Sequence, residues 1–188
     1  MKGAVLLGVL AVILAIGAMF ASTYNKLQVM DENVSANWAQ VENQLKRRND
    51  LIPNFVNTVK GYATHEKEVF TNIAEARSKL AGNINSKDVK AVQQSTSELN
   101  SALSRLLLVV ERYPELKADR SFISLQDELA GTENRIAVAR RDYNESVKSI
   151  NSLIRTFPTS IVAAVSGVKQ RDYFEITETE KQAPKVEF

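Results

Sequence analysis

The sequence predicts an all-α protein. We expect an N-terminal transmembrane helix that continues into an antiparallel bundle of long helices, three long plus a short C-terminal helix, followed by an extended tail. Three observations predict this: a long uncharged apolar run, stretches in which apolar residues recur every three or four positions, and only 7 glycines and 4 prolines. The expected domains are an anchor at 1–23, a helical bundle at 24–168 and an extended or partly disordered tail at 169–188.

The anchor is predicted from residues 3–21, which read GAVLLGVLAVILAIGAMFA and carry no charge. A helix of this length spans roughly 28 Å, close to the roughly 30 Å hydrocarbon core of a bilayer. Membrane lipid is therefore an expected partner of residues 3–21. A cleaved signal peptide, and hence a secreted helical protein, is the alternative. The long apolar run and Met19, where a cleavage site needs a small residue, favour a retained anchor.

The side of the membrane that the bundle occupies stays open. Lys2 and the amino terminus flank one end of the apolar run, and Lys26 flanks the other. Counting positive charges near the membrane favours a bundle outside the cytoplasm, whereas the more distant basic cluster at 46–48 favours the opposite orientation.

The first helical run is predicted to continue from the anchor to Leu80, because its apolar residues keep a helical spacing. The GNINSKD stretch at 82–88 should end it, with Ser86 capping the next helix. Roughly 55 residues after the anchor would extend about 80 Å, far beyond the reach of the second run. We therefore expect this helix to project, bend or pair with another subunit, which favours self-association.

The second run ends at Tyr113-Pro114, since a residue before proline leaves helical geometry. The third run, from Phe122 to Ile154, keeps a near-heptad spacing that predicts a coiled-coil seam. Phe157-Pro158 closes it, and SIVAAVSG predicts a short last helix capped by Ser160. In the tail, Phe174, Ile176 and Thr177 alternate with acids and indicate a strand, an extended arm or disorder.

The stretch QLKRRNDLIPN at 44–54 places a proline inside the first run. Pro53 predicts a kink near residues 49–53, because proline lacks a backbone donor and collides with the preceding turn. A break is the alternative, with Asp50 capping a new helix.

The cations Lys46, Arg47 and Arg48 precede this proline. One interpretation is a solvated helix face balanced by Glu42 and Asp50. The other is a contact for an acidic partner or for lipid phosphate. A distance of roughly 37 Å from the anchor argues against lipid.

Arg140 and Arg141 lie beside the seam of the third run, where flanking charges commonly select a partner and its register. The candidate contacts with a partner or a second copy are therefore Lys46, Arg47, Arg48, Asp50, Pro53, Arg140 and Arg141.

The composition argues against several function classes. A net charge of +2 is too small for a nucleic-acid-binding protein, and the absence of cysteine excludes thiolate chemistry. His65 is the only histidine, and Val69 stands where a zinc-protease helix needs a second one. We therefore predict no catalytic, metal or cofactor site, no cofactor, no small-molecule substrate and no nucleic-acid partner.

Long segments of the chain resemble the LemA family of bacterial membrane proteins. They are WAQVENQLKRRNDLIPNFVNTVKGYATHE, ARSKLA, YPELKADRSFISLQDELAGTENRIAVARRDYNESVKSIN and FPTSIVA. The resemblance implies one N-terminal membrane helix in the bacterial cell membrane, an α-helical bundle and no assigned enzyme mechanism. The resemblance also implies that the bundle lies in the cytoplasm, whereas the count of positive charges near the membrane favours the opposite side. Residues 47–54 correspond to a hallmark segment of the family.

Two functions follow as hypotheses. The first is a non-enzymatic, single-pass membrane scaffold that self-assembles as a homo-oligomer and organises the membrane or neighbouring membrane proteins. The second is an adaptor or sensor that presents the basic segment before Pro53 to a specific membrane enzyme or transporter. The mass of the solubilised protein, and the effect of charge reversal on co-purification, discriminate between them.

Overall fold

The computed structural model describes residues 2–86 and 88–175. It contains six helices: α1 (Lys2–Lys60), α2 (Lys67–Ser86), α3 (Val89–Val110), α4 (Pro114–Lys117), α5 (Arg120–Ile154) and α6 (Thr159–Ser166). No strand occurs among these residues, which confirms the all-α prediction. Residues 168–175 have no regular secondary structure, as predicted for the start of the tail. Ile176, Thr177 and the remainder of the predicted tail lie outside the described residues.

The chain forms two compact units. Unit 1 comprises Met1–Asn37 and Asp142–Arg171, and unit 2 comprises Trp38–Arg141 and Asp172–Phe188. Helices α1 and α5 each contribute one part to both units.

The prediction of one helical run to Leu80 is wrong, because α1 ends at Lys60 and α2 begins at Lys67. The Gly61 amide donates to both Asn57 and Thr58 carbonyls at 3.3 Å, a bifurcated pattern common where helices end. Ala63 is fully buried in the connection, so the apolar spacing continues although the helix does not. The expectation that this run would project, bend or pair with another subunit rested on its length as one helix. Because α1 ends at Lys60, helix length no longer argues for self-association.

Two predicted caps also differ from the structure. Asp88, rather than Ser86, caps α3: its Oδ1 accepts from the backbone N–H of Lys90 at 3.0 Å and of Ala91 at 3.1 Å. The α2 helix continues through Gly82 to Ser86. Helix α6 begins at Thr159 after Pro158 and has no side-chain cap, so Ser160 lies inside it.

The Asp119 side chain stabilises the start of α5 by accepting hydrogen bonds. Its Oδ1 accepts from the Phe122 backbone N–H at 2.9 Å, and its Oδ2 accepts from the Tyr62 hydroxyl at 2.9 Å. The Phe122 amide, followed by the Tyr62 hydroxyl, holds the pKa of Asp119 below its ordinary value. The same hydrogen bond to Asp119 raises the pKa of Tyr62.

Unit 2 is an antiparallel helical bundle. Phe55 and Phe122 stack with ring centroids 5.1 Å apart, and both are almost completely buried. Earlier in α1, Arg48 contacts Glu133, which lies later in α5, so the two helices run in opposite directions. Lys79 of α2 likewise pairs with Glu98 of α3 at 3.1 Å.

The apolar seam predicted along α5 is confirmed as a buried face. In unit 2 it buries Thr132, Ile136 and Ala139, and in unit 1 it buries Tyr143, Val147 and Ile150. Because the chain itself covers this seam, the seam offers no surface for an intermolecular coiled coil.

Unit 1 contains a small apolar cluster after the anchor segment. Leu27 of α1 is fully buried against Val162 and Ala163 of α6, with Leu153 and Ile154 packed around them. Arg171 closes this unit: its guanidinium donates to Asp31 at distances down to 2.7 Å. The Asn151 amide side chain also donates to the Arg171 carbonyl and accepts from its N–H, both at 2.9 Å.

Candidate functional site: the basic segment of α1 and the tail contact

The three adjacent cations of α1 have different environments. Arg48 is only 8% exposed, and its guanidinium forms an ion pair with Glu133 of α5 at 2.5 Å. Arg47 is exposed and pairs with Glu128 of α5 at 3.1 Å. Lys46 is exposed. The interpretation as a solvated helix face is therefore wrong for Arg48, which is buried. Arg47 is solvated, but its acidic partner is Glu128 on α5 rather than Glu42 or Asp50.

Arg48 belongs to a polar layer inside unit 2, which we define as Gln44, Arg48, Asn49, Arg77 and Glu133. The Asn49 carbonyl accepts from Arg77 Nε at 3.0 Å. Asn49 Oδ1 and Gln44 Oε1 are buried, with no hydrogen-bond partner among the described residues. The layer joins three helices, because Arg48 of α1 pairs with Glu133 of α5 and Arg77 of α2 donates to the Asn49 carbonyl of α1.

Pro53 is half-buried within α1, which continues through it to Lys60. The alternative of a helix break is therefore wrong. Asp50 is an exposed residue inside the same helix, so it caps no new one. The Glu42 carboxylate accepts from the Trp38 indole N–H at 2.6 Å.

Arg140 takes part in a contact that the sequence did not predict. Its guanidinium carbon lies 4.2 Å from the centre of the Phe174 ring, a cation–π arrangement. Phe174 is 3% exposed and lies 6.3 Å, between ring centroids, from Trp38. The start of the tail thus docks on unit 2. Arg141, next to Arg140, is exposed.

Weaker polar contacts flank Phe174. Lys90 of α3 lies 3.7 Å from Asp172, and the Glu175 amide donates to Gln93 Oε1 at 3.2 Å. The predicted contact residues thus fall in two places, since Arg47 and Arg48 pair with α5 whereas Arg140 contacts Phe174 of the tail.

The residues that sequence reasoning missed are Glu133, Arg77 and Phe174. A signal for the polar layer existed: the apolar stripe Val41, Leu45, Ile52, Phe55 has a gap where positions 48 and 49 should be apolar. A cation in a stripe gap predicts a buried partner from another helix. No comparable signal marked Phe174.

No group of three or more histidine, cysteine, aspartate or glutamate side chains suited to a metal ion occurs in residues 2–86 and 88–175. His65 lies exposed in the connection between α1 and α2.

The model of the LemA family matches residues 37–188, which include every residue of the polar layer and Phe174. The chain belongs to the LemA family. The resemblance noted from the sequence is confirmed. Helix α1 before residue 37, including its apolar segment, lies outside the matched region.

Curated relatives carry LemA-family names that are not names of enzymes. Magnetosome protein MamQ 2 of Paramagnetospirillum magneticum is 26% identical over 188 residues, covering 87% of this chain and 68% of the relative. Protein LemA of Metamycoplasma hominis is 31% identical over 136 residues, covering 72% of this chain and 61% of the relative. Magnetosome protein MamQ of Magnetospirillum gryphiswaldense is 25% identical over 174 residues, covering 80% of this chain and 64% of the relative. The names and bacterial sources of these relatives, together with a helix in this chain that is long and apolar enough to span a bilayer, are consistent with a membrane-associated bacterial protein.

Proposed function

We propose that this LemA-family chain is a non-enzymatic, single-pass membrane scaffold that self-assembles and organises the membrane or neighbouring membrane proteins. The observation that carries the proposal is the first part of α1. This helix is long and apolar enough to cross a membrane, and none of its most apolar 18-residue window is buried within the chain. An apolar helix with no cover is stable only in lipid or against another chain.

Self-assembly needs a surface other than the α5 seam, which the chain itself covers. The anchor segment offers one, because small residues recur there at alternating steps of four and three. These residues are Ala4, Gly8, Ala11, Ala15, Ala18 and Ser22. Small residues along one face let two membrane helices approach closely, so that packing and weak hydrogen bonds associate them. We propose that two copies contact each other along this small-residue face.

The test is a matched pair of glycine substitutions in the full chain. A Cβ added at Gly8 or at Gly17 meets no heavy atom within 4 Å, and both positions are exposed on α1. Gly8 lies on the small-residue face and Gly17 lies away from it. We expect Gly8→Leu to shift the detergent-extracted protein towards monomer in light scattering, while Gly17→Leu keeps the wild-type mass. Equal masses for both variants would remove the small-residue face as the contact.

A second candidate is the adaptor that presents a basic surface to a membrane enzyme or transporter. The observation favouring it is that Lys46 and Arg47 are exposed beside each other on α1. Arg48 is excluded from this role, since its charge is buried within unit 2.

Charge reversal restricted to the exposed pair separates the two functions. If the adaptor is correct, Lys46→Glu with Arg47→Glu should abolish co-purification of one specific membrane protein while the helical circular dichroism is retained. Unchanged co-purification would contradict the adaptor. Reversing Arg48 would not be informative, because it would disturb the fold.

A further inference from the structure

Helix α6 has two apolar faces, and only one is covered. Its inner face, Val162 and Ala163, packs on Leu27 within unit 1. Its outer face exposes Ile161 at 56% and Val165 at 72%, and Phe157 just before the helix is 82% exposed. A helix that is apolar on all sides is normally buried, either in a protein core or in a membrane. The outer face therefore needs a cover that the described chain does not provide.

The position of α6 along α1 suggests that cover. Leu27, its contact on α1, lies six residues after Ala21, the end of the apolar run, and thus about 9 Å further along the helix. Tyr24 lies between them, and tyrosine is enriched at the membrane–water interface. Because a helix is about 10 Å wide, α6 lies within one helix diameter of the predicted hydrocarbon boundary.

The charges around α6 fit a lipid surface. Residues 153–171 contain Arg155, Lys169 and Arg171 and no acidic residue. Lys26 is the only charged residue of α1 between Ala21 and Asp31. Asp31, the first acid beyond it, is paired with Arg171 at 2.7 Å. Exposed cations next to an apolar helix face are typical of segments that bind at the interface of a membrane with anionic lipids.

We propose that α6 is an interfacial helix, whose outer face of Ile161 and Val165 lies in the headgroup region of the same bilayer that α1 crosses, together with the exposed Phe157 before the helix. This inference rests on the proposed membrane anchoring by α1. The chain would then contact the bilayer at two points, one spanning and one lying on its surface. The α6 contact fixes the portion of unit 1 around Leu27 against the membrane surface, whichever side of the membrane that is.

The chain has no cysteine, so single-cysteine variants report single positions. The full chain carrying Val165→Cys, or Ile161→Cys as a second site, is labelled with an environment-sensitive fluorophore. It is reconstituted in vesicles of phosphatidylcholine and phosphatidylglycerol. Leu10→Cys marks the anchor, and Ser101→Cys, at an exposed position of α3 in unit 2, marks a site in water. Each label is then exposed to lipids brominated on their acyl chains and, separately, to iodide.

We expect brominated lipid to quench the labels at residues 10, 161 and 165, and iodide to quench the label at residue 101. If iodide quenches the labels at 161 and 165 while brominated lipid quenches the label at 10, the interfacial helix is refuted and the anchor stands. If neither agent quenches the labels at 161 and 165, another protein chain covers α6, and the inference is refuted in favour of a protein contact. If brominated lipid fails to quench the label at 10, membrane anchoring itself fails.

Discussion

Glu133→Ala should destabilise unit 2 by about 2–3 kcal/mol, because it removes the countercharge of a guanidinium that is 90% shielded from solvent. The expected cost lies below the roughly 3–5 kcal/mol of a fully buried pair, since the Glu133 side chain is itself 42% exposed. In a chain lacking residues 1–23, this corresponds to a thermal midpoint lowered by about 5–10 °C, measured by circular dichroism.

Glu128→Ala is the matched control. The Glu128 side chain is 41% exposed, nearly the same as Glu133, but its partner Arg47 is 56% exposed. Exposed ion pairs contribute about 0–1 kcal/mol, so this variant should unfold close to the wild type. Similar losses of unfolding free energy in the two variants would contradict a special role for the buried Arg48 charge. Partial rescue of Glu133→Ala by Arg48→Met would support it, because the buried charge is then gone.

Phe174→Ala should release the start of the tail from unit 2. Burying a phenylalanine side chain contributes about 2–3 kcal/mol, and its cation–π contact with Arg140 adds to this. Other contacts of the segment include an exposed pair at 3.7 Å between Lys90 and Asp172 and a hydrogen bond from the Glu175 backbone N–H. Since such contacts are each worth about 1 kcal/mol or less, the buried Phe174 ring should contribute more than any of them to holding the segment.

Trp38 is the only tryptophan and reports this release directly. It is 8% exposed, with Phe174 as a ring neighbour, so its emission should move to longer wavelength when Phe174 is removed. Tyr173→Ala is the control, because Tyr173 is 40% exposed and its loss should leave the emission unchanged. Unchanged emission in Phe174→Ala, with unchanged protease cleavage after residue 171, would contradict the docked tail.

Periodicity predicted the parts of the fold in which one helix face is simply buried. The α5 seam is the clearest case, since Ile136, Val147 and Ile150 are fully buried where the spacing placed them. The same reasoning failed at Ala63, which is buried in a connection and so continued the apolar pattern through a helix end. Apolar spacing reports which residues are covered, and it does not report whether the backbone between them is hydrogen-bonded as a helix.

The basic segment at 46–48 shows a second limit of prediction from the sequence. Arg47 and Arg48 are chemically identical neighbours, yet the turn of roughly 100° between them places one at the surface and the other in the bundle. Their position in the apolar stripe distinguishes them, whereas their charge does not. The docking of the tail could be recognised only in the folded structure, because the three residues that meet there come from distant parts of the chain: Trp38, Arg140 and Phe174.

The mass of the unmodified full-length chain, extracted in detergent and measured by light scattering at micromolar concentration, tests self-assembly most directly. Alongside it, the chain lacking residues 1–23 shows whether the contact lies in the anchor. We expect a mass several times the 20.9 kDa of one chain for the full-length protein, and a monomer once the anchor is removed. A clean monomer for the full-length protein would contradict the scaffold and leave the adaptor as the function to test.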